Sequence, residues 1–362
     1  MRRSVPSPLP VSTPSPASRL ADLVREIPGA TLTSGSPQTF VSGVRHDSRA
    51  IEPGDVFVAR EGGRVNGLAF LNEAVQRGAA AIIARRGATS PGSTPLVEVD
   101  DVPLALAIAS AAVYGHPTFG LDVIGITGTN GKTTTTLMTR AIVEASGGKC
   151  GTIGTLGAEL GGWIKPSVHT SPEADELARI AREMRDQGAT HLVMEVSSIA
   201  LAAKRADAVR FRVAAFTNLT QDHLDYHGTM EGYAAAKMRL FAELGPGAAA
   251  INVRDPFGAD LARAVPAGTR VISYSSAADV GAPDVYPTHL EMRAASGAPG
   301  IRLRAATPFG ELSIASPLVG AHNVENLLCA ASIGLCLDVD VETISAALST
   351  PISVPGRLER CD

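Results

Sequence analysis

The chain has 362 residues, room for two or three domains at roughly 100–200 residues each. Its 32 Lys and Arg against 36 Asp and Glu give a net charge of −4, without the basic excess of a nucleic-acid binder, and 45% hydrophobic residues exclude a chain disordered throughout. Aromatic residues are few, at 4%, while 36 Gly and 24 Pro point to many tight turns joining Ala, Val, Ile and Leu cores.

In chain order, residues 1–18 are Pro/Ser-rich and read as a disordered tail, because Pro and Ser stand where a signal peptide needs an apolar stretch. A short helix (Leu20, Leu23, Val24, Ile27) precedes a strand-like VSGVRHDSR, a Pro53-Gly54 turn, a DVFVA strand, a helix over Leu68–Gln76 and an AAAIIA strand. These make a small α/β domain over 19–118, closed by the turn residues of YGHPTF. The most apolar stretch, Leu104–Tyr114, is far short of the ~20 residues that a membrane-spanning helix needs. Cys150, Cys329, Cys336 and Cys361 are widely spaced and fit neither a disulfide framework nor a zinc site, so a reducing cytoplasm is the expected setting.

From Leu121 the pattern is LDVIGIT, a loop GTNGK, and a helix from Thr133 to Ser146 with Leu137, Ala141 and Ala145 on one face. Strand-like runs at 191–196, 211–219, 248–253 and 271–275, with helices over 174–187 and 231–243, imply an α/β, doubly wound, mostly parallel sheet in a second domain over 119–352. An extra small β region follows over 285–318, then helices over 324–337 and 341–349.

The strongest local signal is GITGTNGKTTTT, Gly125–Thr136, between a buried strand and an amphipathic helix. It departs from the strict Walker spacing, since Ile126 stands where the first glycine belongs, and keeps G-x-x-G-K-T over Gly128–Thr133. Glycines let backbone N–H groups converge on phosphate oxygens at a helix N-terminus, Lys132 would reach the β/γ-phosphates, and the Thr133 hydroxyl is placed for Mg²⁺. Glu195, ending an apolar strand, is a candidate metal carboxylate. His223 and His227 are four apart, but without an HExxH glutamate and in loop-like sequence zinc is not expected there, and His227 reads as structural.

GITGTNGKTTT resembles the ATP loop of the Mur ligases, ATP-dependent amino-acid ligases of peptidoglycan precursor synthesis; alone it would also suit folylpolyglutamate and cyanophycin synthetases. HDSRAIEPGDVFVAREG, TSPEADEL, MEVSS, FTNLTQDHLDYHGTMEGYAAAK, GAHNVENLL and PGRLER fall in the family's order and most resemble its MurE-type branch, which adds the third residue of the peptide. The resemblance implies an acyl phosphate route on UDP-MurNAc-L-Ala-D-Glu, with ATP and two Mg²⁺ sites. It assigns ATP to Gly128, Thr129, Asn130, Gly131, Lys132, Thr133 and Thr134, with Asn323 and Asn326 near the adenine. It assigns metal to Thr133, Glu195, His223 and Lys237, catalysis to Lys132, Glu195, His223 and Lys237, and a CO₂-derived N6-carboxylysine to Lys237. Helix N-capping is the competing role for Asn323. For the UDP-sugar peptide it points to His46, Ser48, Gly63, Arg64, Val65, Thr170, Ser171, Ser197 and Arg205.

The sequence departs from the family's pattern at Ile199 and Ala203, at Asn66-Gly67, and at Asn252-Val253-Arg254-Asp255, which keeps one acid of the usual pair. Residues 353–362 look like the start of a linker to a third domain, and the D-N-P-R motif that recognises diaminopimelate is absent. The resulting expectation is a C-terminally truncated ligase without a nucleic-acid or membrane partner, the incoming amino acid (diaminopimelate or lysine) requiring a further domain. The alternatives are a non-catalytic module binding ATP or UDP-muramoyl peptide and a ligase of the folate or cyanophycin type.

Overall fold

The computed structural model describes residues 18–61, 66–166, 169–277, 279–280, 282–293 and 300–351. Gly63, Arg64 and Val65, the expected tail up to residue 17, and the expected linker over 353–362 lie outside the described residues. The chain divides into two compact units: one runs to Gly120 and takes in Pro172–Gln187 and Ala203–Val209, the other comprises Leu121–Ser171, Gly188–Ala202 and the chain from Arg210.

In the first unit, β1 (Ser18–Arg19), α1 (Leu20–Glu26), β2 (Thr31–Ser34), β3 (Phe40–Val41), β4 (Gly43–Arg45), β5 (Asp55–Val58), α2 (Leu71–Gln76), β6 (Ala81–Arg85), β7 (Leu96–Val99) and α3 (Val102–Val113) follow in order. The sheet runs β2-β7-β6-β5-β4, parallel except for β2. The expected VSGVRHDSR strand breaks after Arg45, because the Asp47 carboxylate accepts from the Arg49 N–H and turns the chain into a short 3₁₀ segment, Ser48–Ala50. The apolar run around Leu104 is α3, a helix with no exposed residue, started by the Asp101 carboxylate accepting from the Leu104 N–H (3.0 Å). Its Ala105, Leu106 and Ala109 pack with Leu20, Leu23 and Val44.

The second unit contains β8 (Asp122–Thr127), α4 (Lys132–Ala145), β9 (Cys150–Gly154), β10 (Gly157–Leu160) and β11 (Trp163–Lys165). The next helix, α5 (Ala174–Asp186), lies against α3 and belongs to the first unit, so the expected boundary at 118/119 is not a single cut. The second unit resumes with β12 (His191–Glu195), α6 (Ser198–Ala202), β13 (Phe211–Phe216), α7 (Leu224–His227), α8 (Met230–Ala242), β14 (Ala248–Asn252), α9 (Pro256–Ala264) and β15 (Arg270–Tyr274). It closes with β16 (Tyr286–Arg293), β17 (Gly300–Thr307), β18 (Gly310–Ser316), α10 (Ala321–Cys336) and α11 (Val341–Ser349).

The large sheet runs β11-β10-β9-β12-β8-β13-β14-β15, with β8, β9, β12, β13, β14 and β15 mutually parallel and β10 and β11 antiparallel additions, and β16-β17-β18 form a separate antiparallel sheet. The carboxyl ends of β12, β8 and β13 are neighbours, the place where open parallel sheets bind ligands. α4 turns Met138, Ile142 and Val143 into the core rather than the expected Leu137, Ala141 and Ala145. Thr133, Thr134, Thr135, Thr136 and Thr139 are buried with them, so hydroxyl-bearing side chains supply most of that face and obscure it as an apolar stripe.

Cys150, Cys329 and Cys336 are free and buried, and burial pushes each thiol up to about 12. Among the described residues no helix is long and apolar enough to cross a membrane.

Candidate functional site

In the second unit the chain leaves β8 at Thr127, turns through Gly128–Gly131 and enters α4 at Lys132. Gly131 is left-handed (φ 87°), and a Cβ there would stand 2.3 Å from Asn326 Oδ1, so only glycine lets α10 approach the turn. The loop is fastened to the segment after β13. The Thr129 N–H donates to the Asn218 carbonyl (2.8 Å), the Asn130 N–H to Asn218 Oδ1 (2.9 Å), and Thr217 Oγ1 to the Asn130 carbonyl (2.6 Å). Lys132 Nζ donates to the Gly128 and Thr129 carbonyls, at 2.9 Å each, and so lies along the loop.

Beside the loop opens a cleft of about 600 Å³ whose lining includes Asn130, Gly131, Thr134, Arg254, Asn323 and Asn326. Asn323 and Asn326 sit inside α10, Asn323 Nδ2 donating to the Val319 carbonyl (2.8 Å) and Asn326 Nδ2 to Asn323 Oδ1 (3.0 Å). The N-cap position belongs to Gly320, which removes capping as the role of Asn323. Asp255, the retained acid, caps α9 at Phe257 N (3.0 Å) and accepts from the Leu219 N–H (2.6 Å), while Arg254 bonds Ser276 and Glu325.

Glu195 ends β12 at 1% exposure, so it is no solvated surface group. Its Oε1 accepts from Thr133 Oγ1 (3.0 Å) and the Thr155 N–H (2.9 Å), and its Oε2 from Thr155 Oγ1 (3.2 Å). Every one of these donors is neutral. Ser171 Oγ donates to the Glu195 carbonyl (2.9 Å) and accepts from the Ser197 N–H (3.0 Å), and Thr170 Oγ1 lies 3.2 Å from Thr155 Oγ1. Thr133, Glu195, Thr170, Ser171 and Ser197 therefore form one connected group.

His223 and Lys237 do not bond Glu195; both pack on Tyr233. Lys237 Nζ stands 4.4 Å over the Tyr233 ring, and the His223 ring meets it edge-on at 6.2 Å. The Tyr233 hydroxyl is 3.1 Å from Thr129 Oγ1, which ties this cluster to the loop. Lys237 is 1% exposed rather than solvated, and burial, followed by the charge of Lys132, holds its amine well below the usual lysine range against the pull of Asp222. His223 has a left-handed backbone (φ 52°) immediately before α7, a single turn where a loop was expected. His227 bonds Ser198 Oγ at 2.9 Å, and its ring meets Tyr226 edge-on and Tyr233 at a tilt. Among the described residues no three His, Cys, Asp or Glu side chains form a ready metal cage.

In the first unit His46 Nδ1 is 2.9 Å from Asp175 Oδ1, and Ser48, buried, donates from Oγ to Glu73 Oε2 (2.9 Å). Arg205 Nη2 pairs with Glu173 Oε1 at 2.6 Å, and Arg60 pairs with Glu173 Oε2. Arg205 thus belongs to a different unit from Thr170, Ser171 and Ser197.

Burial alone would lower the His46 pKa, but the hydrogen bond and charge of Asp175 outweigh it and leave it raised; the same bond holds Asp175 low despite its burial. The His46 contribution to stability is full below its ordinary pKa near ~6.5 and fades as pH rises through the raised value. The Asp175 contribution is present above its ordinary pKa near ~3.9 and is lost as pH falls through the depressed value. His46→Ala should therefore lower the thermal midpoint most between about pH 4 and 6.5, and progressively less as pH rises through the raised value. Thermal melts across that range check this; an equal loss at pH 5 and pH 9 would contradict it.

Residues 126–334 match the Mur ligase middle domain, and residues 40–114 match the model described as Mur ligase family, catalytic domain. The UDP-N-acetylmuramoyl-L-alanyl-D-glutamate--2,6-diaminopimelate ligase of Geobacter metallireducens is 40% identical over 351 residues, covering 95% of this chain and 67% of the relative. The ligase of the same name from Geobacillus thermodenitrificans is 40% identical over 353 residues, covering 95% and 69%. A solved structure of a UDP-N-acetylmuramoyl-L-alanyl-D-glutamate--2,6-diaminopimelate ligase superposes with a TM-score of 0.83 at 27% identity, covering 96% of this chain and 69% of that one. With the parallel sheet and its phosphate loop on one side and these likenesses on the other, the chain belongs to the Mur ligase family.

Proposed function

We propose that the chain binds ATP and a UDP-N-acetylmuramoyl-L-alanyl-D-glutamate acceptor and activates the acceptor's carboxylate for amide formation. The relatives' names supply the acceptor and make 2,6-diaminopimelate the amine that follows. The observation that supports this reading best is the Thr133–Glu195 contact at the end of a Gly128–Lys132 loop that borders the 600 Å³ cleft.

Carboxylate oxygen is a poor leaving group, so direct attack by an amine goes nowhere. In the proposed route an acceptor carboxylate oxygen attacks the γ-phosphorus of ATP, the bond to the β-phosphate oxygen breaks, and ADP departs. The amine then attacks the acyl carbon of the resulting acyl phosphate, inorganic phosphate leaves, and the amine's proton passes to solvent. Lys132 would exchange its bonds to the Gly128 and Thr129 carbonyls for the β/γ-phosphates, while the N–H groups at the start of α4 face the anion. The cleft along Asn323 and Asn326 would take the adenine.

The donor set suits a hard divalent cation. Glu195 is a buried carboxylate that no cationic side chain of the described residues reaches, and Thr133, donating its hydrogen to Glu195, keeps oxygen lone pairs for a metal. Mg²⁺ bound there would neutralise the charge of the phosphates and the acceptor carboxylate. Thr133 and Glu195 would hold one ion, and His223 with a carboxylated Lys237 a second. The neutral amine favoured by burial is the form that attacks CO₂, forming an N–C bond and releasing one proton.

His46 and Ser48, and separately Arg205, are the proposed acceptor contacts in the first unit; Thr170, Ser171 and Ser197 are those in the second. Isothermal titration with UDP-MurNAc-L-Ala-D-Glu should give saturable binding, weakened in Arg205→Ala. No heat at millimolar ligand would defeat the acceptor assignment.

A further inference from the structure

β9 and β12 are parallel with Ile153 opposite Met194, which brings the end of β9 alongside the Glu195 side chain. At Gly154 the approach is so close that a Cβ would stand 2.2 Å from Glu195 Oε1. The next residue, Thr155, then meets both oxygens of that carboxylate, its N–H at Oε1 (2.9 Å) and its hydroxyl at Oε2 (3.2 Å). Any residue but proline could supply the first bond. Only serine or threonine supplies the second.

A carboxylate offers roughly four lone-pair sites, and here Thr133 and the two Thr155 groups take three of them. The Thr155 hydroxyl is the group that fixes the rotation of the carboxylate plane, and so the direction in which Oε2 presents its remaining lone pair. Because that hydroxyl donates to Glu195, its oxygen accepts from Thr170 across 3.2 Å. A directed chain, Thr170 to Thr155 to Glu195, joins a proposed acceptor contact to a proposed metal carboxylate.

We infer that Thr155 is the positioning residue of Glu195, holding its carboxylate in the orientation that receives a divalent cation and linking it to Thr170. This rests on the reading of Glu195 as a cation-holding group. The bland reading, a threonine satisfying a strand end, leaves cation affinity untouched.

The test is titration of Mn²⁺, followed by electron paramagnetic resonance, into the whole chain saturated with the non-hydrolysable analogue AMPPNP. Thr155→Val keeps the shape and the N–H but loses the hydroxyl, and should weaken Mn²⁺ binding about 10–100-fold, the range for outer partners of metal ligands. Thr155→Ser should stay within about threefold of the parent, on the same logic that the hydroxyl is what matters. Both variants should still unfold cooperatively in thermal melts, since Thr155 is exposed and the Glu195 carboxylate keeps its bonds from Thr133 and the residue-155 N–H. Parent-like Mn²⁺ affinity in Thr155→Val, with Glu195→Gln weak, would overturn the positioning role. Parent-like affinity in Glu195→Gln would instead overturn the cation reading itself.

Discussion

Lys237→Ala should abolish acceptor-dependent ATP turnover, by about 10²–10³-fold or more, the range seen when a group stabilising reaction charge is removed. Added formate or acetate should restore part of it, because a small carboxylate can enter the space that the carboxylated lysine fills. The parent chain equilibrated with ¹³C-bicarbonate should show one carbamate resonance that the variant lacks. The cause is the environment of this amine: 1% exposed, over the Tyr233 ring, and repelled by Lys132. Lys237→Met separates function from stability. An apolar chain of similar volume removes the cost of burying a polar amine, so the thermal midpoint should hold or rise while turnover is lost. Full turnover in Lys237→Ala would sink the assignment.

Lys132→Ala should weaken MgATP binding about 10–100-fold, the equivalent of losing charge-assisted hydrogen bonds worth about 1.5–3 kcal/mol. Calorimetric titration of the same sample with UDP-MurNAc-L-Ala-D-Glu should be unaffected. The fold should survive, because the bonds of Lys132 to the Gly128 and Thr129 carbonyls run to its own loop rather than to another element. Lys132→Arg should recover little, since a planar fork does not replace a point charge in so tight a turn. Unchanged MgATP affinity in Lys132→Ala would place the nucleotide elsewhere.

Much of this was legible in the residues because the relevant signals are local. An apolar β8 followed by GTNGK and a helix reads locally as strand, glycine turn and helix, and the strands ending at Glu195 and Phe216 carry the same buried signature. What escaped depends on contacts distant in sequence. α5 has an amphipathic pattern that says it is buried, but not that its partner is α3 rather than the sheet it precedes. The buried face of α4 is mostly threonine, which apolar periodicity does not register. Asn323 at the head of α10 resembles a cap until Gly320 is seen to occupy that position. Thr155 gave no signal at all: its role exists only because β9 and β12 are neighbours, and neighbour relations in a parallel sheet are not written in either strand. Tyr233, by contrast, lay in plain view four residues before Lys237, on the same face of α8.

Activation of an acceptor carboxylate by ATP on this chain can be tested without the natural amine, by hydroxylamine. Incubated with MgATP, UDP-MurNAc-L-Ala-D-Glu and hydroxylamine, the chain should convert the acceptor to its hydroxamate, one ADP and one phosphate appearing per hydroxamate by mass spectrometry and coupled assay. Lys132→Ala and Lys237→Ala should form none above background. Both ligands binding without any hydroxamate or ADP formed would contradict the claim and leave a module that holds its ligands without joining them.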